Sequence, residues 1–362
     1  MEGGFVCSKP IGQLLYDGSL TMFGVLVRAR DYVFFERNPF VQILYFTAMG
    51  SCYYLYLREA HPLLPNEYVG GYHKWLGTFL FLASITLYVV MTISDPGVIR
   101  HENIHTFKQY VNHPVLYPEG KYCRTCKILK LPRSKHCRMC NHCVGRFDHH
   151  CIWFNGCVGE KNYKFFLVYL LSQLAVCIEG FFVTTSVFIT QTDDLLRSRG
   201  VTMESVGRRE TAKILQSFIA NNQGLGFVTA MCFLSGILVW FFLLVQIKRI
   251  AQNETANESF KREDLREKAE LDGETSGLQM FRFLFKRLNF RKRLKKTIPR
   301  HELKKTLDAS WGGLFSPDTI MNTEESFSVD DVNFNPYRLG SFKENLIDAL
   351  QYRSSMDKAK KH

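Results

Sequence analysis

Charged side chains are missing from four long stretches of this 362-residue chain, 40–57, 75–93, 165–190 and 225–247, which share a single carboxylate, Glu179. A helix on the surface of a soluble protein keeps a polar face toward water, so stretches that are apolar all round exclude an ordinary soluble fold. The chain also lacks an internal repeat, which excludes solenoids and propellers. An unbroken apolar leader is missing as well. Glu2, Lys9, Pro10 and Asp17 interrupt the first residues, so no cleavable signal peptide is expected and the first apolar stretch should stay as an anchor.

Each of the four stretches can cross a hydrocarbon core of roughly 30 Å, which takes about 20 apolar residues in a helix. The expected fold is an α-helical polytopic membrane protein with four transmembrane helices. Its expected organisation is a cytosolic N-terminal segment 1–39, a transmembrane hairpin 40–93 with spans 1 and 2, and a cytosolic Cys-rich module 94–164. Spans 3 and 4 with a luminal loop follow over 165–247, then a cytosolic tail 248–362. Lysine and arginine gather on the cytoplasmic side of membrane proteins. Segment 94–164 carries 12 of them, against 7 in the loops 58–74 and 191–224 together, so the module and both termini should face the cytosol. The formal net charge of +12 would otherwise suggest nucleic acid. Beside an anionic leaflet, which attracts each basic residue by about 1 kcal/mol, membrane lipid is the simpler partner, and no nucleic acid is expected.

Cysteine is concentrated instead of scarce: seven of the eleven lie between 123 and 157, on the side of the membrane where structural disulfides are rare. The order is Cys123-x2-Cys126-x9-His136-Cys137-x2-Cys140-x2-Cys143-x4-Asp148-His149-His150-Cys151-x5-Cys157. Tetrahedral zinc takes four thiolate or imidazole donors, and Cys-x2-Cys pairs can grip one ion from a tight turn. The module is too small and polar to bury much core, so metal is expected to stabilise it. Two ions need eight donors, whereas seven cysteines and four histidines are present. A free thiol beside a free imidazole is therefore expected. Spacing alone leaves open which donors share an ion, whether Cys151 is a ninth ligand or an inert thiol, and whether His149 or His150 is a ligand.

The run Asp148-His149-His150-Cys151, in a Cys-rich loop between the second and third of four spans, resembles the DHHC family of protein S-acyltransferases, the palmitoyltransferases. The likeness extends to Asp95-Pro96-Gly97 (the DPG motif), to Asn162 and Phe166 at the close of the Cys-rich signature, to Thr255-Ala256-Asn257-Glu258 (the TTxE motif) and to Asn335-Pro336-Tyr337 in the tail. Two positions depart from the family pattern. Ala256 replaces the second threonine of TTxE, and Leu131 stands where the first of two prolines precedes Arg133. The resemblance implies two structural zinc ions, one on Cys123, Cys126, His136 and Cys143, the other on Cys137, Cys140, His150 and Cys157. It also implies that Cys151 takes a long-chain fatty acyl group from acyl-coenzyme A (palmitoyl-CoA) and passes it to cytosolic or juxtamembrane cysteines of substrate proteins.

A thiol with a pKa near 8.5 is mostly protonated in the cytosol, and the thiolate is the nucleophile. His149 is then the expected base and Asp148 the group that orients it. Because neighbouring side chains point apart in a strand, a turn is expected over this run. Lys121, Lys127, Lys130, Arg133, Lys135 and Arg138 are candidates for the phosphates of coenzyme A, or for anionic lipid. The acyl chain should lie in a cavity between the helices, with Gly50, Gly77, Gly180 and Gly236 shaping it or serving as close-packing points. Glu179 is expected to snorkel, stay neutral or hydrogen-bond another helix, ahead of any catalytic part. The basic segment 282–305, with interleaved aromatic and leucine residues, should lie on the membrane. Thr255, Asn257, Glu258 and the Asn335–Pro336–Tyr337 motif should dock the tail onto the module. The rival readings are a membrane-anchored RING-like zinc adaptor or ubiquitin ligase, and a transporter. Endoplasmic reticulum or Golgi is the expected membrane.

Overall fold

The computed structural model describes residues 38–198, 222–273 and 329–351, together with positions 24–26, 32, 36, 200, 207, 213, 216 and 220. The basic segment 282–305, most of segment 1–39 and the lysine-rich C-terminal residues lie outside the described residues. Four long helices follow the apolar stretches: α1 Phe40–Glu59, α2 His73–Ile93, α3 Tyr163–Ser198 and α4 Gln223–Gln252. Main-chain polar groups find no water in a bilayer, so apolar runs of this length close their hydrogen bonds within a helix. By length and composition α2, α3 and α4 are apolar enough to cross a membrane. Helix α1, with 20 residues, has a comparable length and is less apolar.

Helix α3 packs on both α2 and α4, and α1 lies against α4. Gly77 on α2 sits where a Cβ would come within 2.8 Å of the Tyr56 hydroxyl, and Gly180 on α3 where it would meet Cys232 Sγ at 2.7 Å. These two glycines are contact points between helices, as expected of small residues in a bundle. Gly50 has nothing within 4 Å of its position and is not one. Glu179 hydrogen-bonds His73 Nδ1 at 2.7 Å, so the lone carboxylate of the apolar stretches is answered from α2, 106 residues away in sequence.

Between α2 and α3 lie seven very short strands: β1 Val98–Ile99, β2 Tyr122–Cys123, β3 Ile128–Leu129, β4 Lys135–Cys137, β5 His142–Val144, β6 His149–Cys151 and β7 Gly156–Val158. They pair as β1-β5-β4, β2-β3 and β6-β7, all antiparallel. Lys127 and Asn141, each following a Cys-x2-Cys pair, have φ of 53° and 55°, which turns the chain back on itself after the pair. The tail adds α5 Ala256–Gly273, α6 Val329–Asn333 and α7 Phe342–Leu350. Helix α7 opens with a capping box between Ser341 and Glu344 and packs against α4 and α3.

Candidate active site and metal centres

Strand register builds the metal centres. The β4–β5 ladder sets His136 opposite Cys143, and the β6–β7 ladder sets His150 opposite Cys157. Each pair is completed by a Cys-x2-Cys turn from earlier in the chain. Two donor groups result, Cys123, Cys126, His136, Cys143 and Cys137, Cys140, His150, Cys157, each with its ligand atoms within 4.8 Å of one another. Zinc bound tetrahedrally at about 2.3 Å from sulfur and about 2.0–2.1 Å from nitrogen separates N and S by about 3.6 Å. His136 Nδ1 lies 3.5, 3.3 and 3.9 Å from the sulfurs of Cys123, Cys126 and Cys143. His150 Nδ1 lies 3.5, 3.3 and 3.7 Å from those of Cys137, Cys140 and Cys157. Both donor sets fit zinc with no open position, and in both the imidazole presents Nδ1. Leu131, at the departure from the family pattern, packs against the small core of Ile99, Phe107 and Ile128 beside the first group.

Six of the seven module cysteines are ligands in these groups, and Cys151 is not. Successive side chains of a strand alternate between faces, so along β6 His150 joins the second donor group while His149 and Cys151 share the other face. The expected turn over 148–151 is therefore replaced by a strand for 149–151: i and i+2 meet on one face without it. His149 Nδ1 is 2.7 Å from Asp148 Oδ2, and Cys151 stands on the same face of β6 as His149, two residues on. Burial pulls the His149 pKa down. The hydrogen bonds and charges of Asp148 and Cys151 outweigh it and push the value up to about 10. Asp148 is buried, which by itself would raise its pKa; the hydrogen bond and charge of His149 and the Ala256 amide hold it below the usual carboxylate range. The form these contacts favour is an imidazolium at His149 beside the Asp148 carboxylate.

Surrounding residues fix this arrangement. Phe166 of α3 meets the His149 ring edge-on at 5.3 Å. Asn162 accepts from Gly159 N–H and donates to the Cys157 carbonyl, binding β7 to the start of α3. From the tail, Ala256 N–H donates to Asp148 Oδ1 at 2.7 Å and Asn257 N–H to the Asp148 carbonyl at 3.1 Å. Thr255 and Glu258 cap the same helix end reciprocally. Tyr337 donates to the Val111 carbonyl and Asn335 to the Gln252 carbonyl, which docks the tail motif.

The candidate phosphate binders divide. Lys127 and Arg138 are exposed, and Lys121, Lys130 and Lys135 are half-buried, with Lys135 donating to Asn257 Oδ1. Arg133 is fully buried and committed to Glu258 and Asn253, so it is withdrawn from that set. Cys151 packs in one cluster with Tyr88, Met91, Phe154 and Phe166 at the module end of the helices. Farther along, a cavity opens between the four helices, lined by Met49, Cys52, Phe81, Gln173, Cys177 and Cys232 among others. Helix capping was the alternative to docking for Thr255 and Glu258, and the structure has them do both. The His73 partner of Glu179 was absent from the sequence reading, since a single histidine at the edge of an apolar run gave no signal for it.

Residues 116–263, the stretch that holds both metal groups and the Asp148–His149–Cys151 arrangement, match the family model of the DHHC palmitoyltransferases. The chain is similar to this family over that stretch. It is 31% identical over 288 residues to palmitoyltransferase SWF1 of Neurospora crassa, covering 73% of this chain and 63% of that protein. Against palmitoyltransferase swf1 of Emericella nidulans it is 28% identical over 238 residues, or 66% of this chain and 57% of that protein. The chain thus spans somewhat less than two thirds of the length of these relatives. The matched stretch extends into α5, so the helix end that grips Asp148 belongs to it.

Proposed function

We propose that the protein is a protein S-acyltransferase, a palmitoyltransferase, working in two steps through a thioester on Cys151. One observation carries the reading: Cys151 is the module cysteine left outside both metal groups, and it shares a strand face with an imidazole that a buried carboxylate holds. His149 takes the Cys151 proton, and Asp148 stabilises the imidazolium and fixes which ring nitrogen faces the thiol. The Cys151 thiolate attacks the carbonyl carbon of acyl-coenzyme A; the new S–C bond forms as the bond to coenzyme A breaks, and the departing thiolate takes the proton from His149. A substrate thiol, giving its proton to His149, then attacks the Cys151 thioester; its S–C bond to the acyl group forms as the bond to Cys151 breaks, and Cys151 takes the proton back. Thioester replaces thioester, so orientation, nucleophile activation and exclusion of water suffice. Bound zinc would hold the loop closed and leave the bond making to these side chains.

The membrane arrangement follows from the same reading. Helix α1 joins α2, α3 and α4 as a fourth span, which puts the DHHC module and both termini in the cytosol and the 191–224 loop in the lumen of the endoplasmic reticulum or Golgi. A fatty chain gains about 0.8 kcal/mol per buried CH2, so it partitions into the bilayer with its thioester at the interface. The cavity enclosed by all four helices supports a seat for that chain, and Lys121, Lys127, Lys130, Lys135 and Arg138 remain for the phosphates. Substrate proteins would present cysteines at the cytosolic face or beside a membrane span. The test feeds alkyne-palmitoyl-CoA to purified protein: hydroxylamine-sensitive label on the native chain and none on Cys151→Ser is expected. Equal label on both would defeat the reading.

A further inference from the structure

We propose that Arg133, paired with Glu258, is a positioning residue of the acyl-transfer site and not a ligand of coenzyme A. The inference rests on the reading of Cys151 as acyl carrier. Arg133 Nε and Nη2 donate to the two carboxylate oxygens of Glu258, both at 2.8 Å. Its Nη1 and Nη2 also donate to the side chain and carbonyl of Asn253, at 3.1 and 2.9 Å. The guanidinium lies between two rings, 4.9 Å from the centroid of Tyr110 and 4.4 Å from that of Tyr337. Three segments meet on it: the loop before the zinc strands, the end of α4, and the tail. Its backbone φ is +63°, a sparsely populated conformation for a residue with a side chain. The fold holds that conformation in place and points the side chain inward to a specific partner.

That partner leads to His149 in three contacts. Glu258 accepts from Thr255 N–H and donates its own N–H to the Thr255 hydroxyl oxygen, which shapes the first turn of α5. The amides of that turn hold Asp148, Asp148 holds His149, and Cys151 lies two residues on, on the same face of β6. A fork matters here more than a charge: lysine could neutralise Glu258 but could not bond both its oxygens and Asn253 in one plane.

The test uses the full-length protein with Arg133→Lys, Arg133→Gln, Glu258→Gln and the Arg133→Gln/Glu258→Gln double variant. Each single variant is expected to slow single-turnover acylation of Cys151 by about tenfold or more, leave KM for palmitoyl-CoA within about twofold, and keep both zinc ions. The double variant is expected to recover part of the rate, because it leaves no buried charge without its counterion. A second readout needs no acyl group: alkylation of Cys151 by iodoacetamide at neutral pH, mapped by mass spectrometry, should also slow in the single variants. A raised KM at unchanged kcat would return Arg133 to the phosphates and overturn the proposal. Unchanged alkylation and acylation rates would overturn it too, as would loss of zinc in all four variants, which would make the pair a folding element alone. Native protein that alkylates at Cys151 but takes no acyl label would defeat the acyl-carrier reading, with the alkylation rates still deciding the role of the pair.

Discussion

Ala256, a residue with no polar side-chain atom, holds Asp148 through its backbone: its N–H donates to Asp148 Oδ1 at 2.7 Å. A position that departs from the family pattern therefore keeps the contact, because the first amides of a helix have no partner within the helix and are free to bind a carboxylate.

This contact can be removed almost alone. Ala256 opens α5, where proline is well accommodated and its missing N–H costs the helix nothing. Ala256→Pro is expected to slow acylation of Cys151 by about 10- to 100-fold, the worth of a hydrogen bond to a charged group at about 1.5–3 kcal/mol. Ala256→Ser should keep the native rate. Single-turnover labelling beside a thermal melt checks both, and a Pro variant with native rates would show that the amide plays no part.

Metal withdrawal should be cooperative with folding. The strands of the module have two or three residues each, too few to hold together without their donor groups. Cys143→Ala is expected to lose zinc from the first group and to expose the β4–β5 ladder to protease, while α2, α3 and α4 keep their helicity. Metal content by mass spectrometry and limited proteolysis between 121 and 146 report the result.

Acid should release the tail through Glu258. Its folded pKa is depressed: burial raises it, and the charge and hydrogen bonds of Arg133 lower it further. The pair therefore adds stability that is fully present above the unfolded carboxylate pKa of about 4.3 and is lost as pH falls through the lower folded value. Melting temperatures of native protein and Glu258→Gln should converge on acidification below that point and stay apart, parallel, at neutral pH.

The intramembrane pair His73–Glu179 should prove structural. Glu179→Gln keeps a hydrogen-bonding partner and is expected to leave acylation unchanged. Removing both groups should reveal a coupling of about 0.6 kcal/mol, the average for inter-helix hydrogen bonds in membranes. A double-mutant cycle in detergent measures it. Lost acylation in Glu179→Gln at unchanged stability would instead move the carboxylate into the chemistry.

The apolar helices α2 to α4 and the Cys-x2-Cys pairs were legible because each leaves a local mark, an apolar run or thiols at fixed spacing, whereas which histidine and which later cysteine join each pair was open on spacing and came from the family resemblance. What escaped depended on contacts across long sequence distances or on backbone shape. Arg133 stood among basic neighbours and reads as one more surface cation; only the left-handed φ and a partner 125 residues later turn it inward. Glu179 was visible as a charge out of place, but nothing near it in sequence announced His73. The bend expected over 148–151 was a misjudged period: the rule that separates neighbours along a strand is the same rule that reunites residues two apart. The least apolar helix, α1, carries tyrosines at 53, 54 and 56 and ends in Arg58 and Glu59, which blurs the mark its three companions carry.

The two donor groups alternate along the chain, and that sets an order. Synthesis from the N-terminus completes the first set at Cys143, whereas Cys137 and Cys140 wait for His150 and Cys157. Helix α3 starts at Tyr163, only a few residues beyond Cys157. A second ion would therefore find its last donors only when synthesis stands within a few residues of the next apolar helix, so metal loading of the module and formation of α3 would bear on one short stretch of nascent polypeptide.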